Sequence, residues 1–145
     1  MGNSSQGTVG VCPDRCRGGV KRVTRGIPHP DFETVTINVG DRDLVRKILR
    51  FDCDHDTRNG WIGRELPSLL EASALTDVDV QTGVVVFEPR SLSPYFLEIG
   101  HSAFRNHVIS ASELRRWQGE IHRLLGRDEL FCTTTYFPVI GRLEA

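Results

Sequence analysis

The chain has 145 residues, 39% hydrophobic and 26% charged, with a formal net charge of -1. That is the length of one domain and the composition of an ordinary soluble globular protein. It excludes a global field that would draw nucleic acid or a membrane surface, and no apolar run approaches the roughly 20 residues that span a bilayer.

Residues Met1 to about Ile27 differ from the rest. Gly, Ser, Asn and Gln dominate first, and Arg15, Arg17, Lys21, Arg22 and Arg25 follow. Few apolar side chains are present to offset ordering entropy, so the expectation is a disordered basic tail. The segment has no signal-peptide core. Met1-Gly2 opens like a myristoylation site, but Gln6 stands where that motif wants Ser or Thr. The expected location is the cytoplasm. The basic cluster raises the option of phosphate contacts, yet no aromatic residue interleaves it, which favours a solvated tail over nucleic-acid binding.

Pro28, Pro30 and Asp31 predict a rigid extended entry to the domain, residues 28–145. Val35, Ile37 and Val39 then alternate with polar residues, as in a half-buried strand. Asp41 is placed to cap a helix whose apolar stripe is Leu44, Val45, Ile48 and Leu49. The run Asp52-Cys53-Asp54-His55-Asp56 fits no ligand spacing and reads as a polar helix end. Cys12 and Cys16 are close, but no second pair follows at zinc spacing. A metal set of Cys12, Cys16, Cys53 and His55 is the alternative to free thiols, with Cys132 the fourth cysteine.

Arg58, Asn59 and Gly60 predict a turn. A short helix follows, with Pro67 early in it and Ile62, Leu66, Leu69 and Leu70 on one face. Val78, Val80 and Val84 to Phe87 are nearly continuous and β-branched, the pattern of a strand covered on both faces. Ser93-Pro94 predicts the start of a helix from Tyr95 to about Asn106, weakened at Gly100. Ser110 and Glu113 form a capping-box signature, with Ile109 and Leu114 as its staple. Leu114, Trp117, Ile121, Leu124 and Leu125 mark the buried stripe, Gly126 a C-cap, and His122 a surface position. Leu130 to Ile140 reads as a strand in which Pro138 needs an edge, a bulge or a non-bonded position. Alternating helix and strand signals give an α/β fold class.

Five segments in this order, PHPDFETVTI, DRDLVRKILRF, RNGWIGRELPSLLEASALTDVDV, ISASELRRWQGEI and FCTTTYFPVIGR, resemble class I S-adenosylmethionine-dependent methyltransferases of the UbiE-like, small-molecule type. The resemblance covers about Pro28 to Arg142. Gly18-Gly19 matches the Gly-Gly before the fifth strand of that family, although the following VKRVTRGIPH is charge-laden for a strand. The implied fold is the C-terminal portion of a Rossmann-like methyltransferase sheet, with an antiparallel last strand and covering helices. The glycine-rich loop and the ribose-binding acid of the family have no counterpart here. S-adenosylmethionine is therefore the cofactor of the intact family, and none is expected for this chain alone. The resemblance makes the chain a methyltransferase homologue inactive by itself, needing an N-terminal half to act on a small-molecule methyl acceptor. Arg58, Asn59, Trp61 and Arg64 are the candidate substrate contacts, with Trp61 as a flat wall and the arginines holding an anionic group. The alternative is that Trp61 packs its helix and the arginines are solvated. No catalytic base is identifiable, and positioning alone can suffice for methyl transfer. A second functional class is a non-catalytic binding or assembly module, in which an open sheet edge pairs with a partner or with another copy.

Overall fold

The computed structural model describes residues 24–73 and 75–143. The chain runs β1 (Thr24–Ile37), α1 (Arg42–Phe51), a π-helical turn (Asp52–Asp56), α2 (Ile62–Glu71), β2 (Leu75–Val80), β3 (Gly83–Val86), α3 (Pro89–Arg105), α4 (Ala111–Gly126) and β4 (Cys132–Leu143). It is a mixed α/β fold with one small sheet. β4 lies at the centre, with β1 on one side and β2 and β3 end to end on the other; every pairing is antiparallel. β1 begins at Thr24, and residues 1–23 of the expected tail lie outside the described residues.

Pro138 shows how the sheet tolerates a proline in its central strand. Its backbone faces Pro28 across the β1 ladder, and on the other side β2 ends at Val80 and β3 restarts at Gly83. The Gln81 amide donates to the Pro138 carbonyl at 2.9 Å. The missing N–H thus falls at the gap between two strand segments, where the ladder is already interrupted.

The helices form as the sequence dictates at two of their four starts. Asp41 caps α1 by accepting from the Leu44 amide at 3.1 Å. Ser110 and Glu113 close the full capping box of α4, with Ile109 buried beside it. Three expectations need correction. α3 starts at Pro89, not after Ser93, because the Glu88 carboxylate accepts from the amides of Arg90 and Ser91. Pro94 therefore lies inside the helix. The carbonyl it cannot reach, that of Arg90, accepts from the Ser93 hydroxyl at 3.1 Å instead. Pro67 likewise sits mid-helix in α2. At the far end of α4, Gly126 is still helical and Asp128 takes the positive φ of 59°.

The main core lies on one face of the sheet. Leu44 and Ile48 of α1, Phe96, Ile99 and Ala103 of α3, and the α4 stripe Leu114, Trp117, Ile121 and Leu124 meet Ile37 and Cys132 there. Trp117 is fully buried, and its indole N–H donates to the Phe96 carbonyl at 2.8 Å. Gly100 lies so near it that a Cβ would come 2.5 Å from the Trp117 ring. That close approach is the reason for a glycine in the middle of α3.

The expected doubly covered strand is an exposed one. Val84 and Val86 of β3 are 68% and 61% exposed, and Val80 and Val85 are also open. The segment pairs with β4 on one edge only, so its β-branched residues report strand preference without burial.

Candidate functional site

The outer edge of β1 is the starting point. The Asn38 amide donates to the Phe131 carbonyl, which points the backbone of residues 36 and 38 toward β4. Strand alternation then directs the N–H and C=O groups of Val35 and Ile37 outward. Among the described residues, no backbone hydrogen bond outside helices and strands involves either residue. Three residues before Val35, the Phe32 amide is taken by the Gly60 carbonyl at 3.0 Å. The open stretch is thus bounded by the turn at Gly60 and by the bend into α1.

Beside this edge runs a groove of about 640 Å³ between β1 and α1. Its floor is apolar: Val35, Ile37 and Val39 from the strand, Val45 and Leu49 from the helix. Ile37 and Val39 belong to the buried core and reach the groove only at its floor, whereas Val35, Val45 and Leu49 are half-buried. Arg42, Arg46 and Arg50 form the helical wall, spaced four residues apart and so on one face. Glu33, Cys53, Asp54 and Trp61 close the far end.

Trp61 is 39% exposed, and its indole N–H reaches Asp54 at 3.4 Å. Arg64 stacks on its ring with the guanidinium 4.3 Å from the centroid. The same guanidinium forks onto Asp31, Nε at 2.6 Å and one Nη at 2.5 Å, and holds Glu33 at 2.7 Å. Asp31 is only 1% exposed. Of the four candidate contacts, Trp61 alone lines the groove; Arg64 is committed to a buried carboxylate and braces the tryptophan from behind. Asn59 holds the turn with a φ of 59°, and its carbonyl accepts from the Ile62 amide. Arg58 is exposed on the same turn and does not line the groove.

The sequence reading missed two buried acids. Asp31 anchors α2 to β1, where Gly63 lets the helix approach: a Cβ there would lie 3.2 Å from the Asp31 nitrogen and the Phe137 ring. Asp52 is buried in the π-helical turn, not solvated at a polar helix end, and accepts from the Tyr95 hydroxyl and from Thr57. Burial holds its carboxyl above the ordinary value, with the Tyr95 and Thr57 hydrogen bonds opposing. The Cys53 thiol is pushed up to about 11, by burial first and then by Asp54 and Asp31. It is therefore a protonated, poorly nucleophilic thiol at the foot of the groove. Of the alternative metal set, Cys12 and Cys16 lie outside the described residues and His55 is exposed. Among the described residues no cluster of three or more His, Cys, Asp or Glu side chains is arranged to hold a metal ion, and no helix is long and apolar enough to cross a membrane.

The arrangement offers an unpaired strand edge, an apolar channel beside it, a cationic wall and an aromatic stop. Those are the elements of strand addition by an extended peptide. In comparisons of the sequence, no protein-family model matches the chain and no curated protein matches it significantly.

Proposed function

We propose that the chain is a non-catalytic binding module that accepts an extended segment of another polypeptide as an added strand on the outer edge of β1. The observation that carries this reading is the outward-facing backbone at Val35 and Ile37 beside the groove along α1. Main-chain hydrogen bonds supply affinity in such an addition, and side chains entering the groove supply selectivity. The test is selection of short random peptides on the whole chain, followed by amide hydrogen exchange. Selected peptides should slow exchange at Val35 and Ile37, and Val35→Pro should abolish binding. That substitution removes an outward N–H while sparing the ladder to β4. Peptides that protect other amides, or bind Val35→Pro equally well, would overturn the reading.

A second reading keeps the methyltransferase relationship, and Trp61 at the groove end is what favours it. There the groove is part of an acceptor pocket completed by an N-terminal half, in a Rossmann-like sheet of which β4 is the antiparallel last strand. Calorimetry with S-adenosylmethionine and a separately supplied N-terminal half tests this second reading. The chain alone should not bind the cofactor tightly; binding restored by the N-terminal half would favour the enzyme-related reading, and micromolar binding by the chain alone, lost on mutation within it, would contradict it.

A further inference from the structure

The three groove arginines carry more information than a generic cationic rim. Arg42, Arg46 and Arg50 recur every fourth residue, which sets them about 6 Å apart along α1. Alternate side chains of an extended strand recur every 6.6–6.8 Å or so. A strand laid on the edge of β1 therefore presents every second residue to the α1 wall at nearly the spacing of the arginines. Over the three positions the mismatch is roughly 1–2 Å, well within the reach of an arginine side chain.

The acids near this wall leave its charge available. Glu33 is held by Arg64 at 2.7 Å. Arg46 meets Asp43 at 3.1 Å in a solvated pair on the helix flank, and the exposed Arg50 meets Asp54 of the π-helical turn, whose side chain is 33% exposed, at 3.5 Å. Such pairs are worth little and exchange readily for a better partner. No ion pair involves Arg42 among the described residues. Below the arginines, Val45 and Leu49 offer apolar surface to the stem of whatever side chain enters.

Building on the strand-addition reading, we infer that the added strand is acidic, with glutamate at alternate positions read by Arg42, Arg46 and Arg50. The glutamate methylenes cover Val45 and Leu49, and the carboxylates meet the guanidinium groups at the rim. Trp61 closes the groove at one end and fixes how far the strand can slide. The chain's own basic segment, Arg15 to Arg25, has the same sign as this wall, so the acidic strand comes from another molecule.

The experiment is fluorescence anisotropy on the whole chain with a labelled short peptide carrying glutamate at every second position, and with its glutamine twin. The glutamate peptide should bind roughly tenfold more tightly at low salt, from three exposed charge pairs, and the advantage should shrink at high salt. Arg42→Gln, Arg46→Gln and Arg50→Gln should each weaken the glutamate peptide two- to five-fold or so and leave the glutamine peptide unchanged. Because these arginines are exposed, the variants should keep the circular dichroism of the parent. Equal binding of both peptides, with Val35 and Ile37 still protected, would overturn the acidic preference and leave strand addition standing. Binding of neither peptide would overturn both. Glutamate-peptide binding that survives Val35→Pro would mean charge attraction without strand addition, and would overturn the placement.

Discussion

Replacing Arg64 by alanine isolates a buried carboxylate. Asp31 is 1% exposed, and its charge is met by the fork of Arg64 and by the Glu33 amide at 3.1 Å. Removing one partner of a buried pair costs about 3–5 kcal/mol. The Arg64 side chain is 37% exposed and shares its charge with Glu33, so water screens part of the interaction. The expected loss is therefore about 2–4 kcal/mol, including the lost stacking on Trp61. For a chain of this length that lowers the melting temperature by about 5–15 °C. Arg64→Lys should recover only part, because an ammonium cannot fork onto one carboxylate and stack at once. The assay is urea denaturation of the parent, Arg64→Ala, Asp31→Asn and the double variant. A coupling energy of about 2 kcal/mol is expected, since the double variant leaves no unpaired buried charge. A coupling below about 0.5 kcal/mol would show that Asp31 does not depend on Arg64, and that α2 is held to β1 by packing alone.

Other perturbations follow from the core and from Asp52. Trp117→Ala should cost about 3–5 kcal/mol in urea denaturation. Gly100→Ala should destabilise by about 1–3 kcal/mol, although alanine is the better helix former, because its methyl group meets the Trp117 ring; a stabilising result would refute that packing. The pH dependence of Asp52 has a definite sign. Its folded-state value is raised above the ordinary 3.8. Its contribution is therefore full below that value and is lost as pH rises through the raised one. Asp52→Asn should gain on the parent as pH rises from about 4 toward neutrality, and urea midpoints that stay a constant distance apart would contradict this.

Local signals in this sequence were read correctly where the interaction is local. The Ser110–Glu113 box and the Asp41 cap span three residues, so the sequence contains both partners side by side. The Trp117 stripe is legible for the same reason, because its helix repeats it. Burial of the valine-rich segment was not legible. Val84 and Val86 share their composition with core strands, and only the sheet order reveals that nothing covers them. The start of α3 was hidden because Glu88-Pro89 looks like the end of a strand, whereas the carboxylate is the cap. At the site, the apolar floor was visible as the alternation of Val35, Ile37 and Val39 and the flank of the α1 stripe. The Asp31–Arg64 pair was not, since it joins residues 33 apart in sequence through a turn whose docking depends on Gly60 and Gly63.

Strand addition at β1 makes one demand that no other mode of binding shares. Each added residue turns its amide alternately toward and away from the edge. N-methylation of a bound glutamate-alternating peptide, one amide at a time, should therefore abolish binding at every second position and leave the intervening positions nearly unaffected. A two-residue period, in phase with protection of Val35 and Ile37, is the expected result. A uniform response along the peptide, or losses without that period, would contradict the account.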